Sequence, residues 1–114
     1  MAGRKPLNFS KEYRDKILSG LKSSTIRLKT SLKPGEIVEV NVGGEKIGTA
    51  RITMVERKKL YELTDADAQR DGFKNRRELL KALRKHYGRM SKDTDVYILG
   101  FKFRAAGGKR KSKQ

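Results

Sequence analysis

The chain contains no cysteine, which removes any disulfide framework, thiolate metal site or cysteine nucleophile. It has a single histidine, His86, too little imidazole for most zinc chemistry or for a Ser-His-Asp triad. No apolar run reaches the roughly 18 residues of a membrane-spanning helix. The opening residues Met-Ala-Gly-Arg-Lys-Pro lack the apolar core of a secretory signal, so a cytoplasmic location is expected, with no membrane partner. Acid is scarce relative to base. Against 29 Lys and Arg stand 13 Asp and Glu, a formal net charge of +16. A surplus of that size needs counter-charge. Polyphosphate backbones supply it most often, with anionic membrane surfaces the main competitor. A nucleic acid is therefore the expected partner, and charge alone does not choose RNA over DNA. No cofactor or metal is expected.

At 114 residues the chain suits one domain with one core. Its 35% hydrophobic residues fall in periodic clusters. Residues 1–8 read as a basic lead-in. Ser10 offers an N-cap, and Tyr13, Ile17, Leu18 and Leu21 recur at helical spacing, so a helix is predicted over 10–19, closed by Gly20. The stretch 23–29 is β-compatible, and Lys33-Pro34-Gly35 marks a turn. Val38, Val40 and Val42 alternate with polar residues in a predicted strand over 36–42. Gly43-Gly44 turns the chain into a return strand over 46–57, with Ala50, Ile52 and Met54 on one face. Thr64 to Asp67 opens a short acidic helix that Gly72 ends, and Asn75-x-x-Glu78 opens a helix to His86 with Leu79, Leu80, Leu83 and Tyr87 as its apolar stripe. The last strand spans 95–104, with Tyr97, Leu99, Phe101 and Phe103 on one face. Residues 105–114 have nothing to bury and read as a disordered basic tail. Short antiparallel strands with helices between them predict an α+β fold, a small, partly open β-barrel with helices on its rim.

Three constellations could carry chemistry. Lys22, Thr25 and Arg27 follow the first helix at i, i+3 and i+5, and an extended segment points Thr25 and Arg27 to one side. Two cations and a hydroxyl suit a phosphate or a polarised carbonyl; the alternative is a β-forming threonine between solvated cations. The 75–87 helix is flanked and covered by Lys74, Arg76, Arg77, Lys81, Arg84, Lys85 and Arg89, with Glu78 its only acid. Like charges one turn apart repel, so a phosphate contact is favoured over solubility. Arg57-Lys58-Lys59 beside Tyr61 could stack a base while holding its backbone, unless Tyr61 is core. Lys109, Arg110 and Lys111 in the tail would add salt-sensitive affinity. His86 sits late in its helix, where a cation suits the dipole.

The run Ile17-Leu18-Ser19-Gly20-x-Lys22-x-x-Thr25-x-Arg27, with Pro34-Gly35-Glu36-Ile37-Val38 after it, resembles the ASCH domain family of PUA-like β-barrels. Leu60-Tyr61-Glu62-Leu63-Thr64, Asp71-Gly72-Phe73 and Asp95 through Phe101 continue the likeness, which covers about 7–103. The resemblance implies a mostly antiparallel barrel with about three helices over 9–104. It also implies RNA as the preferred partner, bound in a cleft between the barrel and the first helix. One bacterial branch of the family removes the acetyl group from acetylated cytidine nucleosides with a lysine, a threonine and a glutamate. Lys22 and Thr25 match the first two, and Asp71 stands where the glutamate would. Lys22 would then be nucleophile or base and Thr25 an oxyanion donor. Asp is one methylene shorter, so its carboxylate would retreat by about 1.5 Å, a misplacement that can cost about 10²-fold in rate; otherwise Asp71 is an exposed polar residue at a helix end. The readings that follow are an RNA-binding monomer, with DNA possible as the ligand; an amidohydrolase acting on a modified nucleoside; and a ribosome-associated or other ribonucleoprotein component.

Overall fold

The computed structural model describes residues 4–106; Lys109, Arg110 and Lys111 of the expected tail lie outside the described residues. Five strands form one curled, mixed sheet in the order β1-β3-β4-β5-β2. They are β1 (Pro6–Phe9), β2 (Ser24–Arg27), β3 (Ile37–Val42), β4 (Glu45–Lys59) and β5 (Asp95–Ala105). The helices are α1 (Arg14–Leu18), α2 (Asp65–Arg70) and α3 (Arg76–Tyr87). The architecture is the expected half-open barrel, mostly antiparallel, with one parallel pair. Among the described residues, no helix is long and apolar enough to cross a membrane.

The parallel pair corrects the reading of residues 1–8. Pro6–Phe9 is an edge strand, matching Leu7 to Val40 and Phe9 to Val42 in β3. Leu7 and Phe9 alternate into the core while Pro6 and Asn8 face out. Four residues carry too little periodicity to stand out beside Arg4 and Lys5. At the other end β5 runs through Ala105, and the amide of Ala106 donates to the carbonyl of Ile47 in β4 at 2.9 Å, so 105–106 continue the end of the sheet. The predicted 10–19 helix is shorter: a 3₁₀ turn, Lys11–Tyr13, leads into α1, and Ser10 makes no side-chain cap.

Both caps read for the later helices form. Thr64 Oγ1 accepts from the amide of Asp67, whose carboxylate accepts from the amide of Thr64. Asn75 Oδ1 accepts from the amide of Glu78 at 3.0 Å. Such caps satisfy amides that a helix leaves unpaired.

The sheet buries both faces. One cluster joins Leu7, Phe9 and Ile17 to Val38, Val40, Ile52, Leu99 and Phe101. The other packs Leu63, Ala68, Leu79 and Leu83 from the α2–α3 layer onto Ile26, Val96 and Ile98. A bulge between Ile52 and Met54 lets β4 serve both. Strict alternation would put Ala50, Ile52 and Met54 on one face; the extra residue shifts the parity, so Met54 packs with the second cluster and Val55 with the first. In β5, Leu99, Phe101 and Phe103 share a face as expected, whereas Tyr97 is only half-buried and joins neither cluster.

Candidate functional site

The two edge strands, β1 and β2, approach each other where the sheet curls. No ladder joins them; Arg27 does. Its guanidinium donates to the Asn8 carbonyl of β1 at 2.7 Å and to Thr25 Oγ1 at 2.8 Å, and lies 5.1 Å from the Phe9 ring centroid. The predicted same-side placement of Thr25 and Arg27 is present. An unpaired strand edge exposes backbone acceptors, and the planar fork of an arginine can satisfy one while holding a hydroxyl with its other arm.

A cleft of about 250 Å³ opens at this seam, between the strand edges, the 3₁₀ turn and one flank of α3. Phe9, Tyr13, Phe73 and Tyr87 supply its aromatic walls, and Ala82, Leu83 and His86 its α3 side. Tyr13 Oη and His86 Nε2 are 2.9 Å apart, and Tyr87 Oη donates to the Ile26 carbonyl at 3.2 Å.

Lys22 and Asp71 are at the bottom, 3% and 2% exposed. Their side chains pair directly, and Lys22 Nζ also donates to the Asp71 carbonyl at 3.1 Å. The ammonium lies 4.7 Å from the Tyr13 ring centroid, with Phe73 and Phe9 slightly further, close enough for cation–π attraction. Burial lowers the Lys22 pKa against the opposing pull of Asp71. Burial also pushes the Asp71 carboxyl up to about 6, although Lys22 draws it down. Both shifts come from removing charge from water. Burial likewise raises the Tyr13 phenol.

Gly72 makes the pairing possible. Its φ of +89° is a left-handed conformation, and an added Cβ would sit 3.3 Å from Lys22 Cβ and 3.2 Å from Lys16 Cδ. The turn after α2 can therefore press Asp71 onto Lys22, while Lys16 Nζ donates to the Gly72 carbonyl at 2.8 Å. Asp71 is thus neither an exposed helix-end residue nor out of reach. Despite its shorter side chain, Asp71 reaches Lys22 directly.

Lys22, Thr25, Arg27 and Asp71 come together in the cleft; the basic residues of α3 do not join them. Arg77, Lys81 and Arg84 line another side of the helix, and Lys85 is exposed. Arg76 has a structural task, with Nε donating to the Leu63 carbonyl at 2.7 Å. Of the run before Tyr61, Lys58 pairs with Asp67 at 2.8 Å and Lys59 with Asp95 at 2.9 Å. Tyr61 itself is 54% exposed, which removes it from the core. Phe9, Tyr13, Phe73 and Tyr87 were not singled out as site residues. The spacing of Phe9 and Tyr13 around Ser10, four apart at a helix start, was the available signal.

The comparisons match this architecture. Three crystal structures superimpose on the chain. The ASCH domain from Lactobacillus crispatus JV V101 does so with a TM-score of 0.66 at 19% identity, covering 86% of this chain and 80% of that one. Protein EF3133 from Enterococcus faecalis V583 gives 0.66 at 16% identity, with 92% and 84% covered. The hypothetical protein PH0355 gives 0.67 at 20%, with 87% and 99% covered. At such identities the likeness shows the fold. No curated protein matches the sequence. The ASCH domain model matches residues 3–103, a span that takes in both edge strands, the seam arginine and the Lys22–Asp71 floor, and the chain belongs to the ASCH domain family.

Proposed function

We propose that this protein binds single-stranded RNA and seats one nucleobase in the seam cleft. The observation that carries the reading is the cleft itself. At about 250 Å³ it falls just below the ordinary ligand-pocket range, which begins near about 300 Å³, a size for a base rather than a larger ligand. Its aromatic walls offer stacking, worth about 1–3 kcal/mol per base. Lys22 and Asp71 at the floor offer donor and acceptor to a polar ring edge, and the net charge of +16 supplies attraction to the backbone. RNA is preferred over DNA through membership of the ASCH family, and association with a ribonucleoprotein particle would use the same grip.

The test is fluorescence anisotropy with labelled oligoribonucleotides across a salt series. Affinity should fall with salt, log K changing by about −0.7 per phosphate neutralised on a single strand, and Phe9→Ala should weaken binding about tenfold with little change in that slope. Salt-independent affinity, or none, overturns the reading.

A second reading is amide hydrolysis on a modified nucleoside such as acetylated cytidine. The contact between Lys22 and Asp71 favours it, since a lysine held against a carboxylate beside the Thr25 hydroxyl has the parts of a nucleophile, a proton carrier and an oxyanion donor. Turnover by the wild type that disappears in Thr25→Val would support it; no turnover, or equal turnover, removes it.

A further inference from the structure

Across α3 from the cleft is a second groove, of about 210 Å³, floored by Leu60, Leu80 and Met90. Tyr61 forms its wall. That tyrosine is one of the few large apolar side chains left outside the core, and its backbone is pinned from both sides. Its amide donates to the Lys92 carbonyl at 3.1 Å, and its carbonyl accepts from Arg76 Nη2 at 3.5 Å. The neighbouring amide of Leu60 donates to Thr94 at 2.8 Å. A ring fixed at its root and open on its face is a preorganised platform.

Cations surround it. Arg84 and Lys92 line the groove, and Arg77 and Lys81 continue the same side of α3. Among the described residues none of these has an acidic partner within ion-pair distance. Glu62 accepts from the amide of Lys59 and Asp65 from the amide of Arg76. Glu78 and Asp93, the acids beside these cations in sequence, form no ion pair with them among the described residues. Uncompensated positive charge beside an apolar floor and an exposed aromatic ring fits a ligand that is anionic along one side and flat and apolar along the other. A nucleotide chain has that chemistry.

We infer that this groove is a second nucleotide site, in which a base stacks on Tyr61 over Leu60, Leu80 and Met90 while its flanking phosphates meet Arg84 and Lys92. The inference rests on the RNA reading of the cleft and extends it. With a site on either flank, α3 is a ridge about 10–12 Å across that a bound strand crosses, its phosphates over Arg77 and Lys81. The exposed basic side of α3 then lies along the path of the strand.

The chain has no tryptophan, so Tyr61→Trp introduces a single indole reporter. Titrated with oligoadenylate long enough to span both sites, its emission should be quenched with the same midpoint that anisotropy gives. Tyr61→Ala should weaken binding about tenfold with an unchanged salt slope, whereas Arg84→Ala should reduce the slope by about 0.7. Binding by anisotropy with an unquenched indole, or Tyr61→Ala binding as tightly as wild type, overturns the groove and leaves the cleft standing. No binding by the wild type at about 50 mM salt overturns both. Quenching by polyglutamate and not by oligoadenylate assigns the groove to an acidic protein partner and overturns the inference. Tyr61 is exposed, so an unchanged circular dichroism spectrum shows that neither variant acts through the fold.

Discussion

A lysine and an aspartate buried together restrain each other. Desolvation works against both charges, and each is tolerated only because the other is present. Lys22→Met should therefore destabilise the protein toward the lower end of about 3–5 kcal/mol, since the abandoned Asp71 can take up a proton. Adding Asp71→Leu should recover much of that loss, and urea denaturation of the two single variants and the double variant measures it as a coupling energy. The pH dependence has a defined sign. The folded state holds the Asp71 proton up to about pH 6, against an ordinary carboxyl value of 3.8, so this residue's contribution is fully present below pH 3.8 and is lost as pH rises through about 6. Replacing it with Asn should remove that downward slope in Tm between about pH 4 and 6; an unchanged slope would refute the assignment. Asp67 acts in the opposite direction. Burial raises its pKa, but hydrogen bonds from Lys58 and Thr64 outweigh that and leave it lowered, so its stabilisation is lost as pH falls. Lys22, Thr25 and Asp71 were all legible in the sequence as candidates. The meeting of Lys22 with Asp71 was not, because they are 49 residues apart and the turn at Gly72 that joins them is set by tertiary packing.

Among the elements, those legible from sequence were the ones whose local chemistry and tertiary role agree: β3 with its alternating valines, the Gly43-Gly44 hairpin, and α2 and α3 with their caps. Two of the misread features are cases where context overrides pattern. Residues 6–9 are a strand because β3 offers them an edge, and the face change in β4 comes from one inserted residue that no periodicity announces. The short β1 carries more than its length suggests. Leu7 is 4% exposed, and Asn8 and Phe9 line the cleft. Leu7→Ala should cost about 2–5 kcal/mol in thermal or chemical unfolding, and it should loosen the cleft as well as the core. A loss under about 1 kcal/mol would mean that β1 is an accessory strand.

Taken as a whole, the molecule holds its charge at a cost. Across the sheet Arg51 stands directly opposite Lys102, an arrangement that destabilises an antiparallel pair, and much of the surplus on α3 is likewise unpaired. Raising salt from about 10 to 150 mM shortens the screening length from about 30 to 8 Å. The same change should raise the Tm of the free protein by a few degrees while it weakens the proposed RNA binding. A Tm that falls with salt would mean that ion pairs, not self-repulsion, dominate the surface. The seam has a consequence in time as well as in space. The β3–β4 hairpin forms from neighbours in the chain, whereas β2 must find β5 from far away in sequence and β1 must dock in parallel beyond the hairpin, steps that are intrinsically slow. The cleft, which needs both edges and the Arg27 link between them, is then completed late in folding. Arg27→Lys should accelerate unfolding and leave the refolding rate nearly unchanged, the signature of a contact absent from the transition state. A chain caught before that step already carries its full positive charge but has no pocket, so under the proposed RNA reading selectivity for a base would be acquired after the attraction to polyanions.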